Sequence, residues 1–253
     1  MGQEWTFGEE SAVPVPQMTG GGPDQPQIDR RLRSGSGPIV NAPPVVLVTV
    51  AVLIAIHVAI VWGGHDWEIW TLYAFALIPA RFQGPDAIAM IEGSQYWSLV
   101  TYAFLHDGWA HVLLNALWLV IFGTPVARQF GTLRFLLIAF VATLGGALAM
   151  LVLFWGTTVI AVGASAAVSG LLAAAIPIMF GGPYGPLTFR EFLRDRRAII
   201  FTVIFLVMTL LTSVQWLPGF ADNARIAWEA HLGGFAAGLI AYFVVSRRGV
   251  YRA

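Results

Sequence analysis

Six apolar segments divided by polar connections leave this chain few ways to fold. They run roughly Pro44–Trp62, Trp109–Val126, Leu133–Trp155, Ser165–Phe180, Ala198–Trp216 and Ile226–Val245. A bilayer core of about 30 Å is crossed by about 20 helical residues, and the backbone inside lipid must satisfy its own polar groups. The pattern predicts an all-α polytopic membrane protein, a bundle of six transmembrane helices. Charge supports this: only 11% of residues are charged, against about a quarter in soluble domains. The fourth segment is shorter, and about 16 residues at 1.5 Å each reach only about 24 Å.

The arginines order these spans. There is no lysine. Arg30, Arg31 and Arg33 precede the first span, Arg128 and Arg134 lie between the second and third, Arg190, Arg194, Arg196 and Arg197 between the fourth and fifth, and Arg247, Arg248 and Arg252 after the sixth. Only Arg81 and Arg225 fall on the other side. Positive residues collect on the cytoplasmic face, so both termini are expected in the cytoplasm. Residues 1–40 are rich in Pro, Gly, Gln and acidic groups and predict a disordered cytoplasmic tail. Residues 41–248 form the six-span domain, and 249–253 a short cytoplasmic tail. No leader is expected, because no apolar h-region precedes the first span. The first loop, 63–108, carries Trp67, Trp70, Tyr73, Phe75, Phe82, Tyr96 and Trp97, a density that suits the outer membrane interface. The arginine-only, alanine-rich composition points to a high-GC bacterium, hence to a bacterial inner membrane. The lipid bilayer is the expected partner. Zero net charge gives no argument for nucleic acid, and without cysteine the chain has no disulfide, thiolate metal site or cysteine nucleophile.

Polar side chains within spans are functional candidates by default. These are His57, His106, His111, Asn115, Ser165, Ser169 and His231. His57 has no polar neighbour at helical spacing and reads as a structural group hydrogen-bonded across a helix interface. His111 and Asn115 are four apart and share a helix face. They suit an interhelical polar clasp or a pair of donors to an anion; a zinc site is disfavoured because no carboxylate is expected on that face. Ser165 opens the fourth segment in Gly163-Ala-Ser165, where helix N-terminal N–H groups are free. His231 lies three residues before Gly234, which with Gly238 forms a close-packing small face. The fourth span offers a matching face in Ala166, Ser169, Gly170 and Ala173. Packed together, these faces would bring His231 to Ser165, a base beside a nucleophile. Gly-x-Ser-x-Gly is absent, since position 167 is Ala. No carboxylate completes a triad: Glu229 points elsewhere and Asp107 lies near the membrane surface, so a Ser–His dyad is expected.

These residues resemble the rhomboid family of intramembrane serine proteases, over about residues 40–248. The second-span run Tyr102-Ala-Phe-Leu-His106 with Trp109-Ala-His111-Val-Leu-Leu-Asn115, the Gly163-Ala-Ser165 of the fourth span, and Ala230-His231-Leu-Gly-Gly234 through Gly238 of the sixth are similar to the family's three motifs. The resemblance implies Ser165 as nucleophile, His231 as general base and acid, and His111 and Asn115 lining an oxyanion hole with the Ser165 N–H. It implies a membrane-lying first loop, a lateral gate at the fifth span, no cofactor, and substrates that are single-span or polytopic membrane proteins cut near their extracytoplasmic ends. The chain departs from the family pattern at Ala166, usually glycine, at Ser169, often an aromatic ring, and at Ser98, often arginine. The alternative reading is a catalytically silent rhomboid-like scaffold that binds client transmembrane helices. A transporter is disfavoured, as the spans lack mid-membrane charges.

Overall fold

The structure, a computed structural model, describes residues 41–84, 91–183, 185–213 and 227–246. The tails expected at 1–40 and 249–253 lie outside these, as do Arg30, Arg31, Arg33, Arg225, Arg247, Arg248 and Arg252. Among the described residues three helices are long and apolar enough to cross a membrane: Pro44–Gly63 (α1), Trp109–Leu153 (α4) and Trp228–Ser246 (α8). Between them stand α2 (His65–Phe75), α3 (Ser94–Thr101), the shorter apolar α5 (Ser165–Met179), a single turn α6 (Phe189–Phe192) and α7 (Arg196–Ser213).

α4 is not one straight rod. Its 45 residues would extend about 67 Å, more than twice the bilayer core. Gly131 breaks it with φ of 76°, a left-handed conformation that glycine adopts without a Cβ penalty. The chain doubles back there. Tyr102, ahead of the helix, reaches Thr143 and donates its hydroxyl to that carbonyl at 2.8 Å; along a straight α4, Trp109 and Thr143 alone would be about 51 Å apart. The first arm therefore runs past the expected end at Val126 to Gly131, carrying Pro125 within it. Proline removes one N–H from the helix ladder, but the turn itself is made where glycine stands.

α5 sits innermost, with eleven of its fifteen residues buried, including Leu171, Ala173, Ala174, Ala175 and Ile176 at full burial. Small residues let its neighbours reach its backbone. A Cβ on Gly234 of α8 would strike the Ala166 backbone, one on Gly238 the Gly170 backbone, and one on Gly145 of α4 the Gly233 carbonyl. α8 is thus wedged between the second arm of α4 and α5 by near contact of main chains, the packing that drives helix association in lipid. α7 lies outermost, exposing Ile200, Val203, Ile204, Val207 and Met208 and touching the bundle through Phe205 stacked on Phe235 at 5.2 Å.

The first loop is built rather than loose. The C-terminal end of α2 leaves carbonyls without helical donors, and side chains of later residues take them. Arg81, buried, donates to Ala76 O at 3.0 Å and also to Tyr73 O. Trp97 Nε1 donates to Ala74 O and Thr101 Oγ1 to Phe75 O, both at 2.8 Å. A cation suits the negative end of a helix. Ser98 bonds within its own helix, to Gln95 O at 3.2 Å; the guanidinium in this region comes from Arg81. Arg81→Gln is expected to lower stability by about 3 kcal/mol, the size of one or two charge-assisted bonds, and to speed proteolysis of residues 76–84. A melting temperature within about 1 °C of wild type would count against this capping role.

Candidate active site

The chain entering α5 is fixed residue by residue. Leu77 and Ala161 exchange backbone bonds at 3.1 and 2.9 Å, and Ala80 N donates to Thr157 O at 2.8 Å. Gly163 N donates to Tyr102 O at 2.9 Å, and Ala164 N donates to His106 Nε2 at 3.3 Å. The first loop and the start of α4 thus form the wall on which Thr157 to Ala164 lies. Gly163 takes φ of 116°, beyond what a side chain tolerates, and this turn delivers Ser165 to the first position of α5. No side chain caps that helix. The N–H groups at its start are therefore uncapped donors at the positive end of the helix dipole.

Of the other expected residues, His111 meets this turn directly. The His111 ring packs on Gly163: a Cβ there would lie 2.7 Å from both Cε1 and Nε2. The opposite edge, Nδ1, is 2.5 Å from Asp107 Oδ1. Asn115 is buried and one of its amide N–H groups donates to His111 O at 3.1 Å; an amide carries two such donors. On α8, Gly234 closes on Ala166, while the Ala230 carbonyl and the Ala166 methyl both abut Gly146 of α4. The methyl at Ala166 is thus received by a glycine opposite. His231, between Ala230 and Gly234, is within Coulombic range of His111. Ser165 and His231 are both partly buried, and no side-chain hydrogen bond joins them among the described residues. Ser169 is buried and makes none to His231.

Two expectations need correction. Asp107 places a carboxylate on the His111 face, although none was expected there: it precedes α4, yet the four-residue offset holds across the helix start. His57 is not hydrogen-bonded across an interface. Both its ring nitrogens are buried without a partner, and the ring instead meets Trp109 edge-on at 4.8 Å.

Electrostatics outside the spans follow the geometry. Asp107 is held below the usual carboxylate range, first by its bond to His111, against the opposing effect of burial. His106 is pushed down to about 4 by burial, then by His111 and His57. It is therefore neutral at ordinary pH, as an acceptor for Ala164 N–H must be. Its Nδ1 lies near the Phe104 carbonyl without meeting hydrogen-bond geometry. The neutral ring supports the fold fully above about pH 6.5, and that support falls as pH drops toward 4.

Residues 93–248, more than half of the chain, match the Rhomboid domain family. The chain belongs to the rhomboid family. This rhomboid is 31% identical over 168 residues to RHOMBOID-like protein 4 of Arabidopsis thaliana, covering 66% of its own length and 39% of the relative's. It is 31% identical over 180 residues to Rhomboid protease GluP of Bacillus subtilis (strain 168), covering 71% and 30%. Inactive RHOMBOID-like protein 8 of Arabidopsis thaliana is 29% identical over 147 residues, covering 58% and 37%. The chain spans well under half the length of these relatives. The family thus holds a protease and a member named as inactive, in a helical membrane protein.

Proposed function

We propose that this rhomboid is an intramembrane serine endopeptidase with six spans, α4 supplying two. The observation that supports the reading is the main-chain crossing of α5 and α8, where Gly234, three residues after His231, meets Ala166, the residue after Ser165 at an uncapped helix start. His231 takes the Ser165 proton as Oγ attacks the scissile carbonyl, then returns it to the leaving amine. The Ser165 N–H, with His111 and Asn115, stabilises the oxyanion. Water then hydrolyses the acyl-enzyme.

The remaining features follow from the same reading. Ser165 heads a helix of 15 residues, about 22 Å long, so it lies beneath the extracytoplasmic surface, where a cavity admits water and tolerates polar groups. Substrates are transmembrane helices of single-span or polytopic proteins, cut near their extracytoplasmic ends and entering past α7. The protease domain is 41–248 with cytoplasmic tails at 1–40 and 249–253, in a bacterial inner membrane.

The test is reconstitution of the full chain with a single-span model substrate, comparing wild type with Ser165→Ala and His231→Ala. Undiminished cleavage by either variant sinks the dyad. The second reading, a silent scaffold for client helices, draws on the missing Ser165–His231 bond and the inactive relative; wild type that neither cleaves nor labels with a fluorophosphonate supports it. Asn115→Ala is expected to lower kcat by roughly 10²-fold while substrate co-purification stays unchanged. Loss of co-purification would make Asn115 a packing residue instead.

A further inference from the structure

His111 is held at both edges. Its Nδ1 lies 2.5 Å from the Asp107 carboxylate, one helical turn earlier, and its Nε2 edge rests on Gly163, two residues before Ser165. A carboxylate only accepts hydrogen bonds, so Nδ1 carries a proton. A ring with that proton alone has a lone pair on Nε2, which would face a developing oxyanion with like charge. For Nε2 to donate, the ring must carry a second proton, and an imidazolium inside a membrane protein needs a counter-charge. Among the described residues, two further titratable groups interact with His111, both histidines: His106, ring to ring at 5.0 Å, and His231. Asp107 is the one carboxylate in contact with it among the described residues.

We propose that Asp107 is a positioning residue for the oxyanion step, holding the His111 ring in plane and balancing the second proton that makes Nε2–H a charged donor. This rests on the protease reading above. The proton is taken up from water before substrate binds and is not consumed: Ser165 gives its proton to His231, the carbonyl π pair moves to oxygen, and His111 donates a hydrogen bond without transferring a proton. Charged donors form hydrogen bonds roughly twice as strong as neutral ones, so the arrangement favours the transition state over the uncharged substrate carbonyl.

The experiment pairs kinetics with spectroscopy on the full chain. Asp107→Ala is expected to lower kcat by roughly 10- to 100-fold, below the 10²- to 10³-fold of a donor lost outright, with KM changed less than about 2-fold. Asp107→Glu is expected to restore most of the rate. In a His111→Ala background, Asp107→Ala is expected to have no further effect, the non-additivity of two groups acting as one. Additive losses, a loss carried mainly by KM, or a loss of kcat that no acidic residue restores, overturn the proposal. The second readout does not need turnover. With 15N-histidine labelling, both ring nitrogens of His111 should report as protonated in wild type and in Ser165→Ala, and one of them should lose that signature in Asp107→Ala. An unchanged resonance overturns the proposal even if the protein cleaves nothing. Cleavage that persists in Ser165→Ala refutes the Ser165–His231 dyad separately.

Discussion

Replacing Ser165 with alanine is expected to reduce cleavage of a transmembrane substrate by at least about 10⁴-fold, and His231→Ala by a similar factor. The double variant should be no worse than either, because nucleophile and base act as a unit and removing one leaves the other without a task. Both helices keep their packing, since α5 and α8 meet through main chain at Ala166, Gly170, Gly234 and Gly238 and Ser165 makes no side-chain hydrogen bond among the described residues. Thermal stability should therefore match wild type. Initial rates against a single-span reporter in liposomes, with melting curves on the same samples, check the pair. Additive losses would mean that the two residues do not share one step. Activity surviving in either variant would move the reaction to another group.

Gly234→Ala carries the second large effect, through packing rather than chemistry. The new methyl would collide with Ala166 O and lie 2.8 Å from its carbonyl carbon and Cα. Those are main-chain atoms within a helix, so no rotamer change relieves the contact, and α8 must move away from α5. Overpacking of this kind costs about 1–3 kcal/mol. Its larger consequence falls on alignment: a displacement near 1 Å at a reacting pair lowers rates by roughly 10²-fold. The expected result is a modest fall in melting temperature with a disproportionate fall in kcat. Alanine at Gly182, where a Cβ meets nothing within 4 Å, serves as the neutral comparison. Equal losses of stability and rate at Gly234 would argue against site geometry as the cause.

Part of this arrangement is legible in the sequence. Gly163-Ala-Ser165, His111 with Asn115, and His231 with Gly234 and Gly238 each carry local spacing rules, and the structure brings His111 onto Gly163, Gly234 onto Ala166 and Gly238 onto Gly170. What was not legible depends on groups distant in sequence. Arg81 was counted as a charge that sets sidedness; its burial against the carbonyls of α2 exists only once the first loop folds back. Leu77 and Tyr102 hold the approach to Ser165 through main-chain atoms, and backbone partners leave no trace in residue type. Asp107 is the instructive miss. Asp107 stands two residues outside the helix, so its four-residue offset to His111 becomes a neighbour relation only because the chain entering α4 keeps that spacing. The reversal at Gly131 lies past the end expected at Val126, because the turn is made by the positive φ that glycine accepts.

The enclosure of α5 sets a ruler. Because Gly170, Gly234 and Gly238 bring main chains together, the helix bearing Ser165 has no long side chains at those contacts through which to tilt or slide. A thicker or thinner bilayer can shift the outermost α7, but Ser165 keeps its height relative to α4 and α8. On the protease reading, a substrate helix in such a membrane is then measured against the protein and not against the lipid. Which of its bonds meets Ser165 is decided by how many helical rises separate that bond from the surface.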